Sequence, residues 1–164
     1  MLTSSLISLP EEITYKNMRY LLVLLAAAGV VVSAMALHAH YSKDYLTLPC
    51  DINSVWSCGL VNHSRYAKIL GVPVALIGIL GYVLLGILAW TWKRRATLGF
   101  ALIALGFALY LTNIEWHVLE EWCIYCVSSQ IIISIFTLLA FFWFLACRLG
   151  WSKPSRKSSS AAGL

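Results

Sequence analysis

Four apolar runs constrain this chain more than anything else in it: YLLVLLAAAGVVVSAMALH from Tyr20, VPVALIGILGYVLLGILAW from Val72, ATLGFALIALGFALYLTNIEW from Ala96 and VSSQIIISIFTLLAFFWFLACRL from Val127. Each is about 20 residues long, the length a helix needs to cross a hydrocarbon layer of roughly 30 Å. With 60% hydrophobic and 12% charged residues and a mean hydropathy of +0.80, the chain lies far outside the range of soluble domains. The reading is an all-α integral membrane protein, a four-helix bundle with spans at about 20–38, 72–92, 96–116 and 124–148. These form one domain over 18–149, with an outer loop at 41–71. An N-terminal segment, 1–17, precedes it. The tail 150–164 has no means of burying apolar area and is expected to be disordered.

A net charge of +5 and a pI near 9.0 would suit a nucleic-acid partner, but the placement of the charges argues for a membrane instead. Lys16 and Arg19 precede the first span, Lys93, Arg94 and Arg95 join the second to the third, and Arg148, Lys153, Arg156 and Lys157 follow the fourth. Nine of the 12 cations thus share one side, and the positive-inside rule puts both termini in the cytoplasm. Asp44, Asp51, Glu115, Glu120 and Glu121 are then expected to face outward, with His40, His63 and His117. Ser33 to Ala36 has the small residues of a signal-peptidase site. Glu11 and Glu12 spoil the basic lead-in such a signal needs, so the first run is expected to remain as a span.

Four of the five cysteines fall on the outer side: Cys50 and Cys58 in the loop, Cys123 and Cys126 where the fourth span begins. Disulfides form and persist outside the cytoplasm. Cys147, near the opposite end, reads as a small apolar filler. A ring closed by Cys50 and Cys58 would stabilise by only about 2 to 3 kcal/mol. Two residues between Cys123 and Cys126, at a helix N-terminus whose free N–H groups favour a thiolate, suit exchange better than stapling. Cys126 lies one turn deeper and is expected nearer the membrane, with Cys123 toward the aqueous loop.

Gln130 stands four residues beyond Cys126 on the same helix face. Its amide is costly in a span without a partner; either a quinone carbonyl or a neighbouring helix can supply one. Ser128 and Ser129 are expected to bond locally to backbone carbonyls. In the loop, Ser64 to Leu70 reads as a short amphipathic half-helix capping the outer mouth, with Ile69 and Leu70 on the membrane surface, broken by Gly71 and Pro73. If Cys58 reaches Cys123 across that mouth, thiol–disulfide exchange can carry an electron pair from Cys50 and Cys58 to Cys123 and then Cys126, which reduces the acceptor.

The pattern resembles the vitamin K epoxide reductase family in its bacterial form: four helices, a Cys-x7-Cys loop pair in CDINSVWSC, Ser64 six residues past the second loop cysteine, and CIYC opening the last helix. The resemblance covers about residues 18 to 148. It implies a membrane oxidoreductase with Cys50 and Cys58 as shuttle cysteines, Cys123 and Cys126 as the active-site pair, and Ser64 near the headgroup of a quinone, ubiquinone or menaquinone. It also implies a separate thioredoxin-like (DsbA-like) thiol oxidase as partner, and a bacterial inner membrane as location. Gln130 stands where the vertebrate enzymes have a tyrosine and Val74 where they have an asparagine. Quinone reduction is therefore favoured over epoxide reduction. Three other readings compete. The disulfides could merely brace a structural four-span protein. Cys50, Cys58, His63, Cys123 and Cys126 could carry a metal, although their spacing fits no regular zinc motif. The DsbB type of quinone-linked oxidase shares the chemistry with a different cysteine order.

Overall fold

A computed structural model describes residues 9–43, 50–51, 53, 55–91 and 93–148. The tail 150–164 and Asp44 lie outside these residues, as does the side chain of Cys147. The described chain is mostly helical: α1 (Leu9–Tyr41), α2 (Cys58–His63), α3 (Val74–Trp90), α4 (Arg94–Ile114) and α5 (Ile124–Arg148). Three stretches are long and apolar enough to cross a membrane, Asn17–Tyr41, Arg94–Leu119 and Ile124–Ala146, and α3 is a shorter apolar helix. This is a membrane protein.

Helix α1 begins at Leu9, inside the segment expected to precede the first span. α5 runs over Ile124–Arg148, with Ile124–Ala146 as its membrane-length stretch. The second is trimmed from 72–92 to the 17 residues of α3. Val72 and Pro73 are drawn into a short strand, β2, that pairs antiparallel with β1 (Lys68–Ile69). At the other end the Thr91 N–H closes the helix on the Ile87 carbonyl at 2.9 Å. At 1.5 Å per residue α3 is roughly 25 Å long, short of a typical hydrocarbon layer.

The same hairpin corrects the expected half-helix at Ser64 to Leu70. The short helix is α2, earlier in the loop; a 3-10 turn at Arg65–Ala67 follows, and then β1. Leu70 and Gly71 both take positive φ, 52° and 84°, as a two-residue hairpin of primed type requires. Leu70 is fully exposed at its tip. Helix α2 forms where it does because Ser57 caps its first turn, accepting from the Leu60 N–H, and Asp51 Oδ1 accepts from the Gly59 N–H at 3.1 Å.

α1 packs on α3 and α5, and α4 packs on α5 and α3. Their shared core holds Leu22, Leu85, Ile133, Phe136 and Trp143, with Ala26, Ala89, Ala101 and Ala140 letting the backbones approach. Leu24, Leu80, Ile103 and Phe142 face outward, as a lipid-facing surface demands. At Gly29 the approach is closest: a Cβ there would lie 2.4 Å from the Tyr82 ring of α3. Tyr82 in turn donates to the Ser129 carbonyl at 2.9 Å and shares a 2.9 Å hydrogen bond with its hydroxyl. Ser129 therefore ties α5 to α3 rather than bonding only within its own turn.

Candidate functional site

The four cysteines meet because a backbone bridge brings the loop to the start of α5. The Trp122 N–H donates to the Val55 carbonyl at 2.8 Å, and the Ser57 N–H to the Trp122 carbonyl at 3.0 Å. Trp56 and Trp122 are bridge partners, with ring centroids 6.2 Å apart. An Asx turn sets up this segment, Asn53 Oδ1 accepting from the N–H groups of Val55 and Trp56. Cys123 directly follows Trp122, and Cys58 follows Ser57, whose N–H bonds to the Trp122 carbonyl, so they pack together with Cys50 and Val61 in one buried cluster. Cys50 and Cys58 form a disulfide, with Cα atoms 5.8 Å apart, while Cys123 and Cys126 are free thiols. Cys123 is fully buried under the loop rather than facing water.

Two side chains set the chemistry of this cluster. Asn62, from α2, donates to the Cys58 carbonyl at 2.8 Å and to Cys123 Sγ at 3.5 Å, the long distance being normal for sulfur. His40, from α1, bonds through Nδ1 to the Asn62 carbonyl and stacks on His63 at 5.6 Å between centroids. The Cys126 thiol hydrogen-bonds to Cys123 and holds the Cys123 thiol below its ordinary value, against the opposing effect of burial; the N–H groups of Cys126 and Tyr125 act in the same direction, and the charge of Glu115 against it. Cys123 is thus the sulfur that carries negative charge most readily.

Glu115, expected on the outer side of the membrane, is turned inward by its local backbone. Helix α4 passes into a π-helical turn at Glu115–Leu119, and the carboxyl is only 4% exposed, in contact with Cys126 Sγ and the Cys123 backbone. A π turn inserts one residue into the helical register and so re-aims the side chains around it. Glu120, at φ 54°, then reverses the chain toward the Trp122 bridge. His40, expected on the same side, is also buried.

On the membrane side of Cys126 lies a largely apolar cavity of about 340 Å³. Cys126, Gln130, Ser64 and Val74 all line it, so four residues singled out in the sequence converge there. Cys50, Cys58 and Cys123 do not line it and sit on the loop side. Gln130 Oε1 is buried with no hydrogen-bond partner among the described residues. Ser64 Oγ donates to the Val61 carbonyl at 2.8 Å, which leaves its lone pairs available. Glu115, Asn62, His40 and Tyr82 line the same cavity and were not singled out in the sequence. Glu115 alone carried a signal, an ionisable residue at the end of an apolar run.

Sγ of Cys50 and Cys58 and a carboxylate oxygen of Asp51 lie within 4.8 Å of one another, a donor set in residue type. With the two sulfurs bonded to each other neither is a thiolate, the form that ligates a metal.

The chain is 28% identical over 148 residues to vitamin K epoxide reductase complex subunit 1 of Rattus norvegicus, covering 78% of this chain and 91% of the rat protein. It is 26% identical, with the same coverage, to the Mus musculus protein of that name. The sequence pattern of the vitamin K epoxide reductase family matches residues 20–141, every helix but the two outer ends included. The chain therefore belongs to the vitamin K epoxide reductase family and is a membrane oxidoreductase.

Proposed function

We propose that this protein is a thiol oxidase of the membrane that passes electrons from a reduced extracytoplasmic thioredoxin-like (DsbA-like) protein through Cys50 and Cys58 to Cys123 and Cys126, and on to ubiquinone or menaquinone. One observation carries the reading: Cys126 opens onto a largely apolar cavity while its partner Cys123 packs against the loop disulfide. About 340 Å³ suits a small flat ligand. The unpartnered Gln130 Oε1 offers a quinol hydroxyl an acceptor, so the residues present fit the headgroup.

A donor thiolate attacks Cys50 Sγ, releasing Cys58 as a thiolate, and the donor's second thiol then attacks its own sulfur in that mixed disulfide, so that the donor leaves oxidised and Cys50 is freed as a thiolate. Cys58 attacks Cys123 of an oxidised Cys123–Cys126 pair, and Cys126 leaves. Cys50 then attacks Cys58, which closes the loop disulfide and frees Cys123. Two electrons now reside on Cys123 and Cys126, the arrangement of thiols and disulfide described above. Asn62 stabilises the sulfur displaced at Cys123. The quinone supplies the two-electron acceptor, and the apolar walls keep water from the exchange.

In this reading 18–149 is the working domain of a bacterial inner-membrane protein, with both termini cytoplasmic and the cysteines outside. Arg19 stacks on Trp90, Arg94 on Trp143 and Arg148 on Phe144, at helix ends remote from the cysteines, which supports that orientation. Quinone reduction by the purified protein with a reduced thioredoxin-like donor tests the proposal. Turnover is expected in the unmodified chain and absent in Cys126→Ser. Folded protein inactive with several donors and quinones would refute it. The names of the relatives favour vitamin K epoxide as a second substrate, which the same assay examines; Val74 and Gln130 argue for the quinone.

A further inference from the structure

We infer that Glu115 is the residue that moves the proton between Cys126 and the quinone oxygen during the electron-exit step. The inference rests on the quinone-linked reading above and deepens it.

A carboxyl at the apolar end of a membrane helix is costly to bury, and no length or packing requirement calls for one here. The π-helical turn at Glu115–Leu119 nevertheless aims it inward, where it touches Cys126 Sγ and the Cys123 backbone and also lines the cavity. It is thus the described acidic side chain that touches both the sulfur and the cavity. The other titratable groups around it are Cys123, Cys126 and Tyr125 from the start of α5, His40 from α1, Tyr66 from the 3-10 turn and Tyr82 from α3. The Nδ1 of His40 is committed to the Asn62 carbonyl and the Tyr82 hydroxyl to Ser129.

The step balances as follows. The Cys126 S–H bond breaks, and its proton passes to the carboxyl, which gives a proton to one quinone oxygen. The Cys123 thiolate forms the S–S bond with Cys126, and two electrons pass to the quinone ring. Water returns the second proton, the one Cys123 lost on ionising. Dithiol and quinone become disulfide and quinol with no further oxidant.

Glu115→Gln keeps the shape and removes the exchangeable proton. General acid–base groups contribute on the order of 10² to 10⁴ in rate, so kcat for quinone reduction is expected to fall by about 10²-fold or more. Two readouts separate this from a packing defect. Single-turnover transfer from donor thiols to the Cys123–Cys126 disulfide, which involves no quinone, is expected to stay within about twofold of the unmodified rate, since that step needs no general acid–base group. The pH–rate profile for quinone reduction is expected to lose one ionisation. Unmodified protein that reduces no quinone would refute the quinone-linked reading itself. Active unmodified protein with a Glu115→Gln variant of equal kcat and unchanged pH profile would overturn the role of Glu115 alone, as would equal losses in both half-reactions. Should the variant not assemble, infrared difference spectra of the unmodified protein between oxidised and reduced Cys123–Cys126 decide: a changed carboxyl band supports the inference, and an unchanged carboxyl region overturns it.

Discussion

Substituting Gly29 by alanine tests how tightly the cavity wall is built. The added Cβ would fall 2.4 Å from Tyr82 Cδ1 and Cε1, well inside van der Waals contact, and Tyr82 is itself only 5% exposed. The ring must move by about an ångström to restore an ordinary C–C separation of roughly 3.5 Å. That movement has two costs. Overpacking of a dense interior typically costs about 1–3 kcal/mol. Pulling the hydroxyl from Ser129 forfeits about 0.5–1.5 kcal/mol more. The expected destabilisation of Gly29→Ala is therefore about 1.5–4.5 kcal/mol, the sum of the two. Equilibrium unfolding in mixed micelles measures it, and a double-mutant cycle with Tyr82→Ala identifies its source. In the Tyr82→Ala background the Gly29→Ala cost should shrink to about 0.5 kcal/mol or less, the additive limit for residues that no longer touch. Undiminished loss in that background would refute the steric reasoning, and so would a Gly29→Ala variant as stable as the parent.

Three further outcomes are expected. The Cys123 thiolate appears at lower pH than a free cysteine's ordinary value of about 8.5, because a lowered pKa means more thiolate at any given pH; ultraviolet thiolate absorbance should show that titration moving up in Cys126→Ala, which removes the leading cause. Trp122→Pro deletes the N–H that holds Val55 and is expected to slow loop-to-helix exchange more than tenfold, more than 1.4 kcal/mol, while quinone reduction by protein reduced directly with a small thiol is little changed; equal effects on both would contradict the bridge's role. Gln130→Leu removes the amide from the cavity and should raise KM for quinone about tenfold through loss of about 1.4 kcal/mol of binding, leaving donor oxidation of the loop pair unaltered, as stopped-flow and steady-state rates can compare.

How far the sequence was legible depends on the kind of feature. Cys126 and Gln130 share the cavity as their spacing of four required, since positions i and i+4 lie on one face of any helix. The fourth span could be bounded from its apolar run alone. The half-helix could not: Ser64 to Leu70 has an amphipathic composition, yet Leu70 and Gly71 adopt a hairpin turn and the helix forms at Cys58–His63 instead. Capping by Ser57 and Asp51 and pairing of β1 with β2 outweighed local periodicity there. The inward turn of Glu115 was not legible, because charge near a span end ordinarily means water and a π turn cannot be read from composition.

By itself, then, the sequence determined that the chain lives in a membrane, roughly where its long apolar helices run, and that four cysteines lie near one end of them. These follow from hydrophobic length and from spacings of a few residues, quantities that are fixed along the chain before it folds. Only the tertiary structure decided that Asn62 reaches Cys123 across 61 positions, that Tyr82 reaches Ser129 across 47, and that Glu115 turns inward to Cys126. Such contacts depend on how helices dock and on which backbone groups the Trp56–Trp122 bridge brings together, and no one-dimensional pattern encodes the distance between side chains on different helices.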